Sequence, residues 1–172
     1  VASEILDATF SGNPVKLLIT GDKSDPENLP SIKITGMANE NFVADRLIEY
    51  FPALKSLEHY VRDRMSGEAE WTLSMTNLPG EAENTIIKKL EIESNLIGVK
   101  MDYPYPVGKP SYRLRPIKVT SFLGSPANRN VEINYADILN TELVLGSDKK
   151  LHAINLRVGE AQVPENNEPG LH

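Results

Sequence analysis

The sequence predicts an α+β chain that is mainly β: an antiparallel β-sandwich or barrel with one to three short flanking helices. Three observations carry that expectation. Residues 111–158 hold a series of short runs in which apolar and polar residues alternate, and a period of two puts one set of side chains on a buried face and the other in water. Gly124-Ser125-Pro126 and Gly146-Ser147-Asp148 punctuate those runs as turns. Residues 40–66 switch to a spacing of three and four, the period of a helix.

In chain order, residues 1–35 read as extended. Val15, Leu17 and Ile19 predict a strand ending at Gly21, and Ile32-Lys33-Ile34-Thr35 predicts the next. Phe42, Val43, Leu47, Ile48, Tyr50 and Phe51 form a helical stripe that Leu54, Leu57, Val61 and Met65 continue. Pro52 divides it into two short helices, because proline lacks the donor that a helix interior needs. Glu58 and Arg62, four apart, are placed to pair, Gly67 suits the stop, and Tyr50, Phe51 and Tyr60 read as core aromatics. Trp71, Leu73 and Met75 share one face of a strand that Asn77-Leu78-Pro79-Gly80 should break. From Glu81 to Leu90 the stripe Ala82, Ile86, Ile87, Leu90, with acids early and Lys88-Lys89 late, predicts a helix.

Ile97, Val99, Met101 and Tyr103 predict a further strand, and Pro104, Pro106, Gly108 and Pro110 a stiff connector outside any sheet. Tyr112-Arg113-Leu114-Arg115, Ile117 to Thr120, Val131 to Tyr135, Leu143 to Leu145 and Ile154 to Val158 complete the strands. The domain organisation expected is one β-rich domain, 1–163, followed by a polar C-terminal arm, 164–172, too poor in apolar surface to fold alone.

Composition narrows function mostly by exclusion. At 172 residues, with 40% hydrophobic and 24% charged residues, the chain can bury a core and is not of disordered type. The net charge of −6 argues against a general nucleic-acid binder. The absence of cysteine removes disulfides, thiol catalysis and cysteine-ligated metals. No apolar run is long enough for a helix to span a membrane, and no charged-then-apolar leader opens the sequence.

Candidate chemistry is sparse. His59, His152 and His172 lack the spacing of a helical zinc site, and the phosphate-cradling and serine-nucleophile motifs are absent. Asp22, Asp25 and Glu27 offer oxygen to a calcium ion, but their spacing does not match the EF-hand pattern, and a solvated acidic loop is the simpler reading. Glu91 and Glu93 flank Ile92, and Asp137 follows Tyr135, as acids do by chance among 24. Tyr112, Arg113, Arg115 and Lys118 form the densest positive patch, read as the outer face of a strand. The expectation is therefore no enzyme and no catalytic, cofactor-binding or metal site.

The order of elements resembles the tail-tube proteins of long-tailed bacteriophages. Early strands lead to Glu70-Trp71-Thr72-Leu73-Ser74, then to a helix at 81–90, a long connector, closing strands and a polar arm. The resemblance implies a β-sandwich or barrel that closes into hexameric rings, which stack into a tube within a virion. The partners implied are other copies of the chain and other structural subunits, with no sequence-specific nucleic acid and no membrane span. Extended arms at 1–10 and 164–172 would stitch neighbours together. The alternative is a β-sandwich binding module for a protein partner or small ligand.

Overall fold

The computed structural model describes residues 5–21, 31–50, 52–79, 86–123, 130–145 and 151–159. The strands are β1 (Ile5–Phe10), β2 (Asn13–Thr20), β3 (Ser31–Asn39), β4 (Met65–Ser66), β5 (Glu68–Pro79), β6 (Ile86–Ser94), β7 (Lys100–Met101), β8 (Ile117–Leu123), β9 (Asn130–Tyr135), β10 (Leu139–Leu145) and β11 (Leu151–Val158). Two helices, α1 (Glu40–Tyr50) and α2 (Glu58–Arg64), flank a 3-10 turn at Pro52–Leu57. The mainly β class and the split helical region at Pro52 are as the sequence predicts.

Nine strands form one sheet in the order β1-β2-β3-β5-β6-β8-β9-β10-β11. Every neighbouring pair is antiparallel, so the sheet is an up-and-down meander whose first and last strands run in the same direction. β1 and β11 do not pair with each other, so the sheet is barrel-like but not closed. The small β4–β7 pair stands apart from it.

Two rows of directly paired residues define the faces of this sheet. Leu6, Leu17, Ile34, Leu73, Ile92, Val119, Ile133, Thr141 and Leu156 cross all nine strands, aliphatic at every position but Thr141. One residue along each strand, Asp7, Lys16, Thr35, Thr72, Glu93, Lys118, Asn134, Asn140 and Arg157 cross the same strands on the opposite face. Period-two patterning has therefore been summed across the sheet into one apolar and one polar surface.

α1 is packed over the early part of the apolar face. The Asn39 side chain accepts the Phe42 N–H at 3.0 Å, an N-cap that starts the helix where β3 ends. Phe42 then stacks on Trp71 of β5, with ring centroids 6.0 Å apart and planes at 19°, and Phe10 of β1 meets the same indole at 5.7 Å. The indole lies over Gly36 of β3: a Cβ there would sit 2.9 Å from Val15 Cγ1 and 3.1 Å from Trp71 Cζ2. Glycine is needed at 36 to let the ring down onto the sheet.

Several expectations need correction. Residues 86–94 form β6, a strand, not the end of a helix; Ile87 and Leu90 fall on opposite faces, and the strand is paired on both sides, by β5 and β8. The remainder of that predicted helix, 81–85, lies outside the described residues, as do the turns at 124–126 and 146–148. Asn77 to Pro79 do not break β5, because Pro79 sits at its last position, where no interior ladder bond is lost.

Of the predicted strand at 97–103, only Lys100 and Met101 pair, because Leu96 and Gly98 turn the chain through positive φ. Residues 112–115 form a loop, not a strand: the Arg113 N–H turns back to the Pro110 carbonyl, and Pro116 follows. Residues 5–10 are no free arm but a hairpin strand, joined to β2 through Ser11 and Gly12, both at positive φ. Tyr60 is not core; it is half exposed, packed on His59. Tyr50 and Phe51 are not among the described side chains.

Replacing Trp71 with alanine is expected to cost about 3–5 kcal/mol of stability, the range for a large aromatic in a core. Gly36→Ala should cost about 1–3 kcal/mol by overpacking against Val15 and the indole. Urea denaturation followed by far-ultraviolet circular dichroism measures both; a Trp71→Ala loss below that of Gly36→Ala would remove the indole from its central place.

Candidate assembly surface

The chain covers its apolar face unevenly. Val15, Trp71, Val131, Tyr135 and Leu143 are buried. Toward the two edges, cover fails. Leu6 is 45% exposed on β1, while Ile154, Leu156 and Val158 are 51%, 58% and 65% exposed on β11. These three point to the same face, since they alternate along one strand, and Ile92 in the middle of the sheet is also exposed. Among the described residues the edges are lightly protected: β1 and β11 contain no proline and no lysine, each carries a single acid or arginine, Asp7 and Arg157, and β11 shifts register only at its start, beside Leu145.

The connector between β6 and β8 covers the other part of the face, and two cations hold it. Lys109 is buried and its ammonium donates to the carbonyls of Leu96 at 2.7 Å, of Pro110 at 3.3 Å and of Val99. Burial, and secondarily the charge of Arg115, lowers its pKa from the ordinary lysine value. Arg115 is also buried; it donates to the carbonyls of Pro106 and Val107 and lies 6.0 Å from the centre of the Tyr135 ring. Tyr135 completes the lock with a 2.8 Å bond to the Val107 carbonyl. These cations serve the backbone, satisfying carbonyls that no strand can reach.

The predicted positive patch is therefore dispersed. Arg115 is inside, Tyr112 is 81% exposed on the loop, Arg113 is exposed beside it, and Lys118 sits on the polar face of β8. Lys118 donates to Glu91 at 2.7 Å and Glu93 at 3.1 Å, and Lys89 reaches Glu91 at 2.9 Å. The two acids flanking Ile92 are brought together by one lysine rather than poised for acid–base work. The predicted Glu58–Arg62 pair forms at 2.9 Å, and Arg62 also holds Asp45 of α1 at 2.6 Å, tying the two helices.

The remaining candidates yield little chemistry. His59 packs on Tyr60, His152 lies on β11, and His172 and the acidic loop Asp22 to Glu27 lie outside the described residues. Among the described residues no group of three or more acids or histidines is placed to hold a metal. Two shallow clefts, of about 240 and 210 Å³, adjoin each other over Phe42 and share Asn13 and Asn39. No described helix is long and apolar enough to cross a membrane.

No protein-family model matches the chain. Neither the curated proteins nor the solved structures include a match to it. Sequence reasoning found most of the strands that make up this surface, but it missed the two buried cations, whose only signal is their place among the prolines of the connector. It also missed the continuity of the aliphatic row, which emerges only once the strands are in register.

Hydrogen bonds from Lys118 and then Lys89 hold the Glu91 carboxyl below its ordinary pKa. A carboxylate lowered on folding stabilises the fold above its unfolded pKa, about 4.3, and that contribution is lost as pH falls through the lower folded value. Glu91→Gln is expected to cost about 0.5–1 kcal/mol near neutral pH and to flatten the stability profile below about pH 4.3. Urea titrations from pH 3 to 7 check this; an unchanged profile would remove Glu91 from the network.

Proposed function

We propose that the protein is a non-enzymatic structural subunit that assembles with copies of itself through its strand edges and terminal arms, as a tail-tube or other virion component of a bacteriophage does. The observation that supports it is the aliphatic row, which runs from one free edge of the sheet to the other and ends at both in exposed leucines. Exposed apolar rows on unprotected edges recruit further strands, and in a soluble protein they are covered by a partner. Repetition of one contact around an axis closes rings if the rotation closes, and produces filaments if it does not. The tail-tube form of this reading rests on the resemblance of the early strands leading to Glu70 to Ser74; the helix expected at 81–90 no longer contributes to it, because residues 86–94 form β6. The arm 164–172 lies outside the described residues and enters this reading from the sequence alone, while 5–10 contributes as an edge strand.

The test is the native mass of the purified protein by light scattering behind a sizing column, with negative-stain images of the same fraction. Rings, tubes or large particles are expected. A single species near 19.1 kDa, held across concentration and salt, would instead turn attention to a binding module.

A further inference from the structure

We infer that β11 of one copy adds to β1 of the next in parallel, with Leu156 set beside Leu6 and Arg157 beside Asp7. This rests on the self-assembly reading and specifies its contact. A meander of nine alternating strands leaves its first and last strands running the same way. A head-to-tail neighbour that keeps its apolar face on the same side therefore meets β11 with a parallel β1. Among the described residues nothing pairs with the outer edge of either strand, and a parallel ladder satisfies the backbone groups there.

The register follows from the two rows. Leu6 and Leu156 are the ends of the aliphatic row, so placing them side by side continues it without a break from copy to copy. The same step aligns Val158 with Ala8 on the apolar face. On the polar face it aligns Arg157 with Asp7, which are the two ends of the polar row. Neither has a partner among the described residues: no ion pair or side-chain hydrogen bond engages them. Opposite charges thus terminate one row, and leucines terminate the other. A two-fold pairing of β11 with β11 would leave Leu6 and Asp7 uncovered and would require a second interface at β1. The head-to-tail contact covers both edges with one.

The chain has no cysteine, so thiols can be placed at will. In the full-length assembled protein, the double variant Leu6→Cys with Leu156→Cys is expected to give a reducible ladder of multimers after mild oxidation, because facing strands lie within disulfide reach. Asp7→Arg and Arg157→Asp should each weaken assembly about tenfold, and combining them should restore it. Circular dichroism of each variant verifies that the subunit remains folded. A crosslinked dimer from Leu156→Cys alone would overturn the proposal in favour of two-fold pairing. A full-size assembly that gives no ladder and ignores both reversals would overturn this contact while leaving self-assembly in place. A wild-type protein that never exceeds the monomer mass would overturn both.

Discussion

Alternate side chains on nine neighbouring strands must be kept from water, and the described residues cover only part of them. This constraint organises the molecule. A sheet buried on one face by its own helices would need a layer as wide as itself. Here α1 packs over the early strands, and the connector between β6 and β8 packs on Tyr135 of β9 and on the segment from α2 to the start of β5. The aliphatic row therefore emerges at both edges. Burial of a leucine or valine side chain is worth about 1.5–3 kcal/mol, so exposed residues such as Leu6, Leu156 and Val158 represent a substantial drive toward association.

The covered parts are held by two different devices. At one end a glycine under a tryptophan lets three aromatic rings pack onto the sheet, and the Asn39 cap directs α1 so that Phe42 arrives over the indole. At the other, Lys109 and Arg115 are spent on backbone carbonyls of a proline-rich segment that has no ladder of its own. Their burial is tolerable because each charge is surrounded by carbonyl oxygens. Both devices keep the sheet in a defined shape, as the proposed edge-to-edge contact requires.

Much of the fold was legible because alternation is a local signal. β2, β3, β8, β9 and β11 follow directly from period two, and the Pro52 break from the backbone chemistry of proline. β6 was not legible: Lys88 falls on its apolar face and interrupts the alternation, while Ile86, Ile87 and Leu90 mimic a helical stripe. Pairing with a neighbour on each side decides the matter: β5 precedes it as the other arm of a hairpin, but β8 lies beyond the long connector, where no local pattern reaches. The run at 112–115 alternates as a strand does, yet Arg115 is drawn inward by the carbonyls of Pro106 and Val107. For the assembly surface, its residues were visible individually, but their alignment into rows depends on the register of eight pairings. No single stretch contains that information.

Hydrogen exchange of the backbone amides, compared between the assembled fraction and the same protein diluted until it dissociates, tests the central claim most directly. The account predicts that amides of β1 and β11 exchange about tenfold or more slowly in the assembly, while those of β5, already paired on both sides, change little. Equal exchange of β1 and β11 in the two states would contradict it, since edges that remain open to water cannot be what joins the copies.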